Sequence, residues 1–513
     1  MRETLWQEFA HSLRAHRHRT AVCLDNDSIT YADLDDWSRA VAGQLANNGV
    51  CVGDPVGLYL RNGLEFIVTD LAIARLGAVK VPINYMLPPE TVRYILTATN
   101  ARAVVFSAEL GDPIGGEGPA RFVVGDSTAD DVPRLVRRGT PAGAFERNAE
   151  PDGSSVAAIY FTGGTTGRPK GVVHTQRSTV ALHYTQMLEG EISDGDRLLL
   201  MTPLAHAAGL FAQSALIRGA LIVLTDGFDA GEAVRLLDRH GITWTFLVPT
   251  MIYRILDELA ARSSDAWAAA TALRTIAYGA APISPARLDQ ALKVFGPVFI
   301  QLYAQTECPN WGTRLTKADH DPARPHLLTS CGQPSIMADV KIVDDHDAEL
   351  PPNEIGEICL RAPYTLERYL DDAGATRAKF LGDWIRTGDV GLMDHDGYVY
   401  LKDRKNDMII TGGMNVYGRE VEDVLSAHPH VASVAVIGIP HPDWGEAVHA
   451  VVVAARFGLT AEGLLAWAKP KLSAYAAPKS VEFVDSLPET PFGKIDKKTL
   501  RAPYWADATR GIN

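Results

Sequence analysis

The segment from Tyr160 to Val172 combines glycines, hydroxyl groups and two cations in one predicted turn between apolar runs. Glycine lets the backbone turn tightly and present N–H groups to an anion. Threonine adds hydroxyl donors, and a lysine adds a positive charge. The residues concerned are Thr162, Gly163, Gly164, Thr165, Thr166, Gly167 and Lys170. This pattern indicates a phosphate-binding loop, for which ATP is the obvious ligand.

The spacing of this loop matches neither of the two common nucleotide-binding motifs. Pro169 separates Lys170 from the last glycine of the turn, so Gly-x-x-x-x-Gly-Lys-Ser/Thr does not fit, and Gly-x-Gly-x-x-Gly is absent. Taken alone, the cluster is also compatible with an ordinary glycine-rich surface loop. The rest of the sequence is needed to distinguish between these two interpretations.

Length and composition favour a globular protein of several domains. A chain of 513 residues exceeds the size of a single core, and 46% hydrophobic with 22% charged residues is ordinary for globular proteins. No apolar run approaches the length that spans a bilayer, and acidic residues near the amino terminus argue against a secretory signal. We therefore expect no integral membrane segment and a cytoplasmic location.

Charge and cysteine usage exclude further classes. A net charge of -13 argues against nucleic acid as a partner, because that binding depends on neutralising phosphates. The five cysteines contain no Cys-x-x-Cys pair, so neither a disulfide framework nor a zinc site is indicated. An anionic ligand must then be held by local cations.

Hydrophobic periodicity predicts alternating helices and strands, which implies α/β layers. Predicted helices cover residues 34–47, 64–76 and 230–240, and predicted strands cover residues 55–60, 77–82, 197–201, 220–224, 244–248 and 275–278. Residues 332–398 have closely spaced strands and turns and indicate a β-rich subdomain. A compact α+β unit follows, with helices near residues 419–427 and 460–472 and strands at 433–439 and 449–455.

Four more segments carry polar residues or glycines: residues 278–282 and 301–307 each follow a predicted strand, residues 384–389 precede a turn, and residues 491–494 lie near the carboxyl terminus. Together with the loop, and in this order, they resemble the adenylate-forming superfamily of acyl-CoA and aryl-CoA synthetases, peptide-synthetase adenylation domains and luciferases. The resemblance extends from Ile29 to Lys498. It implies a large multi-subdomain α/β domain (1–404) with the ATP and acid sites, made of two α/β sheets and a β-rich subdomain. It also implies a small mobile α+β lid (405–513).

The resemblance assigns roles at the phosphate end of the ATP site. The loop would embrace the β- and γ-phosphates while pyrophosphate leaves. Glu307 would hold Mg²⁺, whose preference for oxygen ligands suits a carboxylate bridged to phosphates. Thr306 would contact the α-phosphate.

At the nucleoside end, the resemblance implies that Tyr303 stacks on adenine and that Asp389, helped by Arg404, accepts hydrogen bonds from the ribose hydroxyls. The backbone of Gly279, Ala280 and Ala281 would line the adenine edge.

The first chemical step is assigned to Lys494. In the superfamily, a lysine in Pro-x-Gly-Lys reaches the ATP site and stabilises charge as the substrate carboxylate attacks the α-phosphorus. The small domain then rotates about a hinge, here Asn406, which removes Lys494 and brings Gly412 and Gly413 to the active site. Most relatives carry Asp or Lys at the hinge position. Rotation would open a channel for a thiol.

The acid is expected to be hydrophobic. His206 lies where relatives place an aromatic gate, although a lone histidine among small apolar residues is equally compatible with packing. Peptide-synthetase domains place an aspartate near here, and its absence argues against an amino acid. The expected lining is Tyr184, Ala207, Ala208, Met251, Ala280 and Ala304. A medium-chain fatty acid and an aromatic acid both remain open.

The acceptor is expected to be CoA, although two cations common in CoA-using relatives are replaced by Met86 and Ala476. Losing both phosphate contacts would weaken CoA binding by roughly 10² or more. Trp444 and Lys479 remain as expected CoA contacts. Alternative acceptors are a carrier protein, an amine or another nucleophile; activation of another oxyanion such as nitrite, and a non-catalytic nucleotide-binding protein, are more distant alternatives. A homodimer is left open.

Overall fold

The computed structural model describes residues 2–115, 118–125, 132–141, 149–162, 169–262, 272–404, 407–455, 458–488 and 495–505. The loop residues Gly163, Gly164, Thr165, Thr166 and Gly167, the hinge Asn406 and the catalytic candidate Lys494 lie outside these ranges.

Within the described ranges, helices and strands alternate along most of the chain. The helices are α1 (Leu5–Ala15), α2 (Tyr31–Asn47), α3 (Leu64–Leu76), α4 (Pro89–Ala98), α5 (Gln176–Glu189), α6 (Ala207–Arg218), α7 (Ala230–Arg239), α8 (Pro249–Ala261), α9 (Pro285–Phe295), α10 (Ala373–Lys379), α11 (Gly418–Ser426), α12 (Ala461–Ala468) and α13 (Lys497–Trp505). Strands of the amino-terminal half are β1 (Thr20–Leu24), β2 (Asp27–Thr30), β3 (Pro55–Tyr59), β4 (Val79–Pro82), β5 (Ala103–Ser107), β6 (Ala120–Val124), β7 (Val156–Thr162), β8 (Lys170–Thr175), β9 (Arg197–Leu200), β10 (Leu221–Leu224) and β11 (Trp244–Leu247). The remaining strands are β12 (Thr275–Tyr278), β13 (Phe299–Gln305), β14 (Cys308–Leu315), β15 (Gln333–Pro334), β16 (Asp339–Val343), β17 (Gly356–Arg361), β18 (Arg368–Tyr369), β19 (Phe380–Leu381), β20 (Trp384–Met393), β21 (Val399–Arg404), β22 (Ile409–Thr411), β23 (Met414–Val416), β24 (Val431–His441), β25 (Gly445–Ala454) and β26 (Ser480–Phe483).

Two large mixed sheets form the body of the protein. One has the order β15-β14-β13-β12-β11-β9-β10-β1-β2, and the other has the order β18-β8-β7-β4-β3-β5-β6. In the first sheet, β1, β10, β9, β11, β12 and β13 are mutually parallel. Helices cover these sheets, and α3 is buried along almost its whole length, as expected for a helix that is apolar on all sides.

Within the described residues, two smaller sheets accompany the large ones. Strands β16, β17, β20, β19 and β21 form the β-rich part, and β23, β22, β25, β24 and β26 form the carboxyl-terminal sheet with α11, α12 and α13. The chain is thus a mixed α/β protein with a large amino-terminal domain and a smaller carboxyl-terminal domain, as the sequence predicts. None of the described helices is long and apolar enough to cross a bilayer.

Most predicted elements lie within a few residues of the observed ones. The helix predicted at 34–47 begins earlier, at Tyr31, because the Thr30 side chain caps it by accepting from the Asp33 N–H. The strand predicted at 77–82 begins later, at Val79, because Gly77 ends α3 with a φ of 73°. The helix predicted at 460–472 is shorter, ending at Ala468.

The arrangement of parallel strands decides where the motif residues meet. β9, β11, β12 and β13 are neighbours, and their carboxyl ends lead into His206, α8, Gly279 and Thr306 respectively. Ligands of open α/β sheets bind at the carboxyl ends of the strands. The fold therefore gathers segments far apart in sequence along one sheet edge.

Candidate active site

The predicted phosphate loop connects two antiparallel strands. Thr162 ends β7, Lys170 begins β8, and these two residues are paired across the hairpin. The exposed Lys170 ammonium lies 5.3 Å from the centroid of the Tyr369 ring. The hairpin thereby places the hydroxyl and the cation at the two ends of the loop side by side.

A buried ion pair supports the strand that enters this loop. Lys80 Nζ lies 3.1 Å from Asp70 Oδ2, and both side chains are almost fully buried. Gln213 donates to both Asp70 carboxylate oxygens, at 2.8 and 3.0 Å. The Lys80 ammonium lies 5.7 Å from the Tyr160 ring centroid. A buried charge is tolerated only when it is paired and hydrogen-bonded, so this cluster fixes β7 against α3 and α6.

Glu307 is held between a phenol and an ammonium. Its side chain follows β13 and is largely buried, and the Tyr369 hydroxyl donates to Glu307 Oε1 at 2.5 Å. Burial, together with the Glu307 charge, raises the pKa of Tyr369, so this phenol stays protonated and donates. Lys379 Nζ lies 3.8 Å from the same carboxylate oxygen.

The donor set fits Mg²⁺ bound through phosphates. Among the described residues, no group of three or more His, Cys, Asp or Glu side chains could hold a metal ion. Mg²⁺ is commonly held by one or two carboxylates together with substrate phosphates and water. The carboxylate of Glu307 contacts Tyr369, whose ring also lies near Lys170, and a single carboxylate suits that mode of binding.

Tyr303 and Asp389 form a second cluster beside Glu307. The Tyr303 hydroxyl donates to Asp389 Oδ2 at 2.6 Å, and Gln305 Nε2 donates to the same oxygen at 3.0 Å. Arg404 pairs with Asp389 across β20 and β21, with 3.6 Å between its Nε and Asp389 Oδ1. The aspartate is thus fixed by two donors and a cation, and its second oxygen faces Arg404.

The residues predicted at the adenine edge follow β12. A Cβ at Gly279 would lie 2.5 Å from the carbonyl oxygen of Leu302, so only glycine fits this close approach. Ala280 has a φ of 68°, in the left-handed region, and is exposed, while Ala281 is half-buried. This turn presents backbone close to β13, the strand that carries Tyr303.

Most predicted acid-pocket residues lie along the same sheet edge. His206 precedes α6, Ala207 and Ala208 lie in its first turn, Met251 lies in the first turn of α8, and Ala304 lies on β13. Tyr184 differs from these: its hydroxyl donates to Glu8 Oε1 of α1 at 2.8 Å, so this group is engaged with the amino-terminal helix.

The predicted acceptor residues of the small domain also lie together. Gly412 and Gly413 are exposed in the turn between β22 and β23, and the Gly412 N–H donates to the Trp444 carbonyl at 2.8 Å. The Trp444 ring, 42% exposed, stacks on His441 at 4.1 Å, and Lys479 Nζ lies 5.5 Å from its centroid. A flat ring beside a cation on an accessible surface can bind a base or a phosphorylated group.

Four side chains of this region were missed by sequence reasoning: Gln305, Tyr369, Lys379 and His174. The first is next to Thr306 and could have been identified by position. Tyr369 and Lys379 come from a segment interpreted only as β-rich, and no local pattern links them to Glu307. His174 Nε2 contacts the Thr306 carbonyl oxygen at 2.9 Å across 132 residues of sequence.

Buried histidines make the stability of the folded protein depend on pH. Burial lowers the pKa of His174 and of His320 to about 4, and that of His183 to about 3. These groups are neutral in the folded protein but protonate below about pH 6.5 when unfolded. The free energy of unfolding therefore has its full value above pH 6.5. It falls by about 3 kcal/mol per histidine as the pH is lowered toward 4.

Urea denaturation between pH 4 and 7 measures this loss. His174→Gln keeps a side-chain N–H that can donate to the Thr306 carbonyl and should reduce the pH slope of unfolding by about one proton. His395→Gln, at an exposed position, is the matched control. An unchanged slope in His174→Gln would show that this imidazole does not titrate on unfolding.

Comparison with known proteins identifies the family. The model of the AMP-binding enzyme family matches residues 9–370, and the model of its carboxyl-terminal domain matches residues 420–494. The chain belongs to the AMP-binding enzyme family. As a member of this family it is an adenylate-forming enzyme of the ligase class, and its nucleotide is ATP or AMP.

Similar members of the AMP-binding enzyme family differ in acid and acceptor. The chain is 42% identical to the medium/long-chain fatty-acid–CoA ligase FadD8 of Mycobacterium tuberculosis, covering 98% of this chain and 90% of that protein. It is 34% identical to the fatty acid–acyl-carrier-protein ligase ScoC of Streptomyces coeruleorubidus, covering 96% and 95%. The amide bond synthetase McbA of Marinactinospora thermotolerans superimposes with a TM-score of 0.88 at 31% identity, covering 98% and 100%.

Proposed function

We propose that this enzyme activates a hydrophobic carboxylic acid, a medium- or long-chain fatty acid or an aromatic acid, and transfers the acyl group to the thiol of CoA. The single observation that carries the proposal is the Tyr303–Asp389–Gln305 cluster beside Glu307, which would pair a nucleoside site with a magnesium ligand. The likeness to FadD8 along nearly the whole chain supports a fatty acid.

The carboxylate oxygen of the acid attacks the α-phosphorus, and the bond to pyrophosphate breaks. Asp389 accepts from the ribose hydroxyls, Tyr303 packs on adenine, and Thr306 contacts the α-phosphate. Mg²⁺ held by Glu307 would neutralise charge on the phosphates. Lys494 stabilises the transition-state charge as a cation and transfers no proton.

Acyl transfer, the second step, would depend on the division of the chain into a large domain (1–404) and a small domain (405–513). We propose that rotation about Asn406 withdraws Lys494 and presents Gly412 and Gly413 to the acyl adenylate. Trp444 and Lys479 then contact CoA. The expected location is the cytoplasm, where both ATP and CoA are available.

A second acceptor class is favoured by a specific observation. Met86, which is 48% exposed, and the buried Ala476 carry no charge, so neither position offers a cation to the phosphates of CoA. Relatives of this chain include a carrier-protein ligase and an amide bond synthetase. The phosphopantetheine thiol of a carrier protein, or an amine, is therefore the alternative acceptor.

Mass spectrometry of the products separates these acceptors. The enzyme is incubated with ATP, Mg²⁺ and a panel of fatty and aromatic acids, with and without CoA. We expect AMP with hydrophobic acids and a CoA thioester when CoA is present. AMP and acyl adenylate without thioester would select the alternative acceptor, and absence of AMP with every acid would contradict the ligase function.

A further inference from the structure

Lys379 is a lysine whose ammonium lies inside the candidate active site. It is the last residue of α10, and its side chain is only 12% exposed. Its Nζ lies 3.0 Å from Gln305 Oε1 and 3.8 Å from Glu307 Oε1. These two residues flank Thr306, so the ammonium lies against the segment that holds the predicted α-phosphate contact.

The contacts of Lys379 leave part of its hydrogen-bonding capacity for a ligand. An ammonium has three N–H donors. Among the described residues, Gln305 accepts one hydrogen bond, and the Glu307 oxygen at 3.8 Å is too distant for a second. A largely buried cation with donors to spare is suited to bind an anion beside Thr306.

The negative charges near Lys379 mean that an anion bound at this site would need a neighbouring cation. Glu307 and Asp389 are nearly buried carboxylates, 9% and 5% exposed; Glu307 follows Thr306 in the chain, and Asp389 accepts a hydrogen bond from Gln305, which precedes it. A phosphate bound at Thr306 would be repelled by both. Lys379 offsets the Glu307 charge, as Arg404 offsets that of Asp389.

Lys379 also belongs to the large domain, because α10 lies between β18, which pairs with β8, and β19, which pairs with β20. It therefore stays beside Thr306 if the small domain rotates and withdraws Lys494. We propose that Lys379 binds the phosphate of the acyl adenylate and of AMP during acyl transfer. This inference rests on the proposed function.

A cation at this position can assist the transfer of the acyl group from AMP to the acceptor thiol. The acceptor thiol attacks the acyl carbon, and the bond between that carbon and the phosphate oxygen breaks. The electron pair remains on AMP, and the thiol proton passes to solvent. The ammonium of Lys379 stabilises the negative charge that develops on the departing phosphate.

Calorimetric titration with AMP and with adenosine, both in EDTA, tests the assignment without metal or turnover. Lys379→Met should weaken AMP binding by about tenfold or more and leave adenosine binding unchanged, because only the phosphate contact is lost. Lys379→Arg should restore much of the AMP affinity. Arg377→Met, an exposed cation on the same helix, should bind both ligands like the wild type.

Equal weakening of AMP and adenosine would overturn the proposal, because Lys379 would then only shape the site. Unchanged AMP binding would also overturn it. Lys379→Gln provides a second variant if the methionine variant fails to fold. A wild-type protein that bound neither ligand would overturn the proposed function as well, so the two failures are distinguishable.

Discussion

Lys494→Ala is expected to lower the rate of acyl-adenylate formation by about 10²- to 10³-fold, the usual effect of removing a group that stabilises transition-state charge. The same variant should thioesterify supplied acyl-AMP at nearly the wild-type rate, since the proposed rotation removes Lys494 before the thiol attacks. ATP–pyrophosphate exchange measures the first half-reaction, and single-turnover assays with synthetic acyl-AMP measure the second.

The described residues on either side of Lys494 are well anchored. The Asp496 N–H donates to the Pro488 carbonyl at 2.8 Å, and Lys497 Nζ lies 2.8 Å from Glu422 Oε1. The exposed Lys498 provides a matched control, and Lys498→Ala should retain both half-reactions. Equal loss of both half-reactions in Lys494→Ala would contradict the rotation model.

Glu307→Gln is expected to reduce kcat/KM for ATP by about 10²-fold and to move the Mg²⁺ dependence to higher concentration, because an amide oxygen carries no net charge toward the metal. Pyrophosphate exchange at a series of Mg²⁺ concentrations measures both effects. The substitution is nearly isosteric, and its oxygen can still accept from Tyr369.

Tyr369→Phe is the matched control for Glu307→Gln. It removes the hydroxyl that donates to Glu307 Oε1 but keeps the carboxylate, so a smaller loss of about tenfold is expected. A Glu307→Gln enzyme with the wild-type Mg²⁺ profile would show that this carboxylate is not the magnesium ligand. A Tyr369→Phe loss as large as that of Glu307→Gln would assign the effect to side-chain placement.

Sequence patterns predicted the scaffold because they report local physics. α3 and β12 have the predicted bounds, since apolar runs and their flanking turns determine both. Parallel strands then bring Thr306, Gly279 and His206 to one edge through chain order alone. The family assignment, which rested on five ordered motifs, is confirmed by the matched family models.

Contacts between distant segments could not be predicted in this way. Tyr369 lies on β18, which pairs with β8, and Lys379 lies on the following helix α10; nothing in the local sequence of β18 or β8 specifies that pairing. The hydrogen bond between the His174 side chain and the Thr306 carbonyl likewise depends on how two sheets pack together. The roles given to Glu307, Asp389 and Lys494 stay predictions.

Isotope transfer from the acid to AMP tests the central claim most directly. A hydrophobic acid labelled with ¹⁸O in both carboxylate oxygens is incubated with enzyme, ATP, Mg²⁺ and CoA, and the AMP is analysed by mass spectrometry. If an acyl adenylate forms, one carboxylate oxygen stays on phosphorus and each AMP carries one ¹⁸O. Unlabelled AMP, or ADP in its place, would contradict activation of the acid through an adenylate.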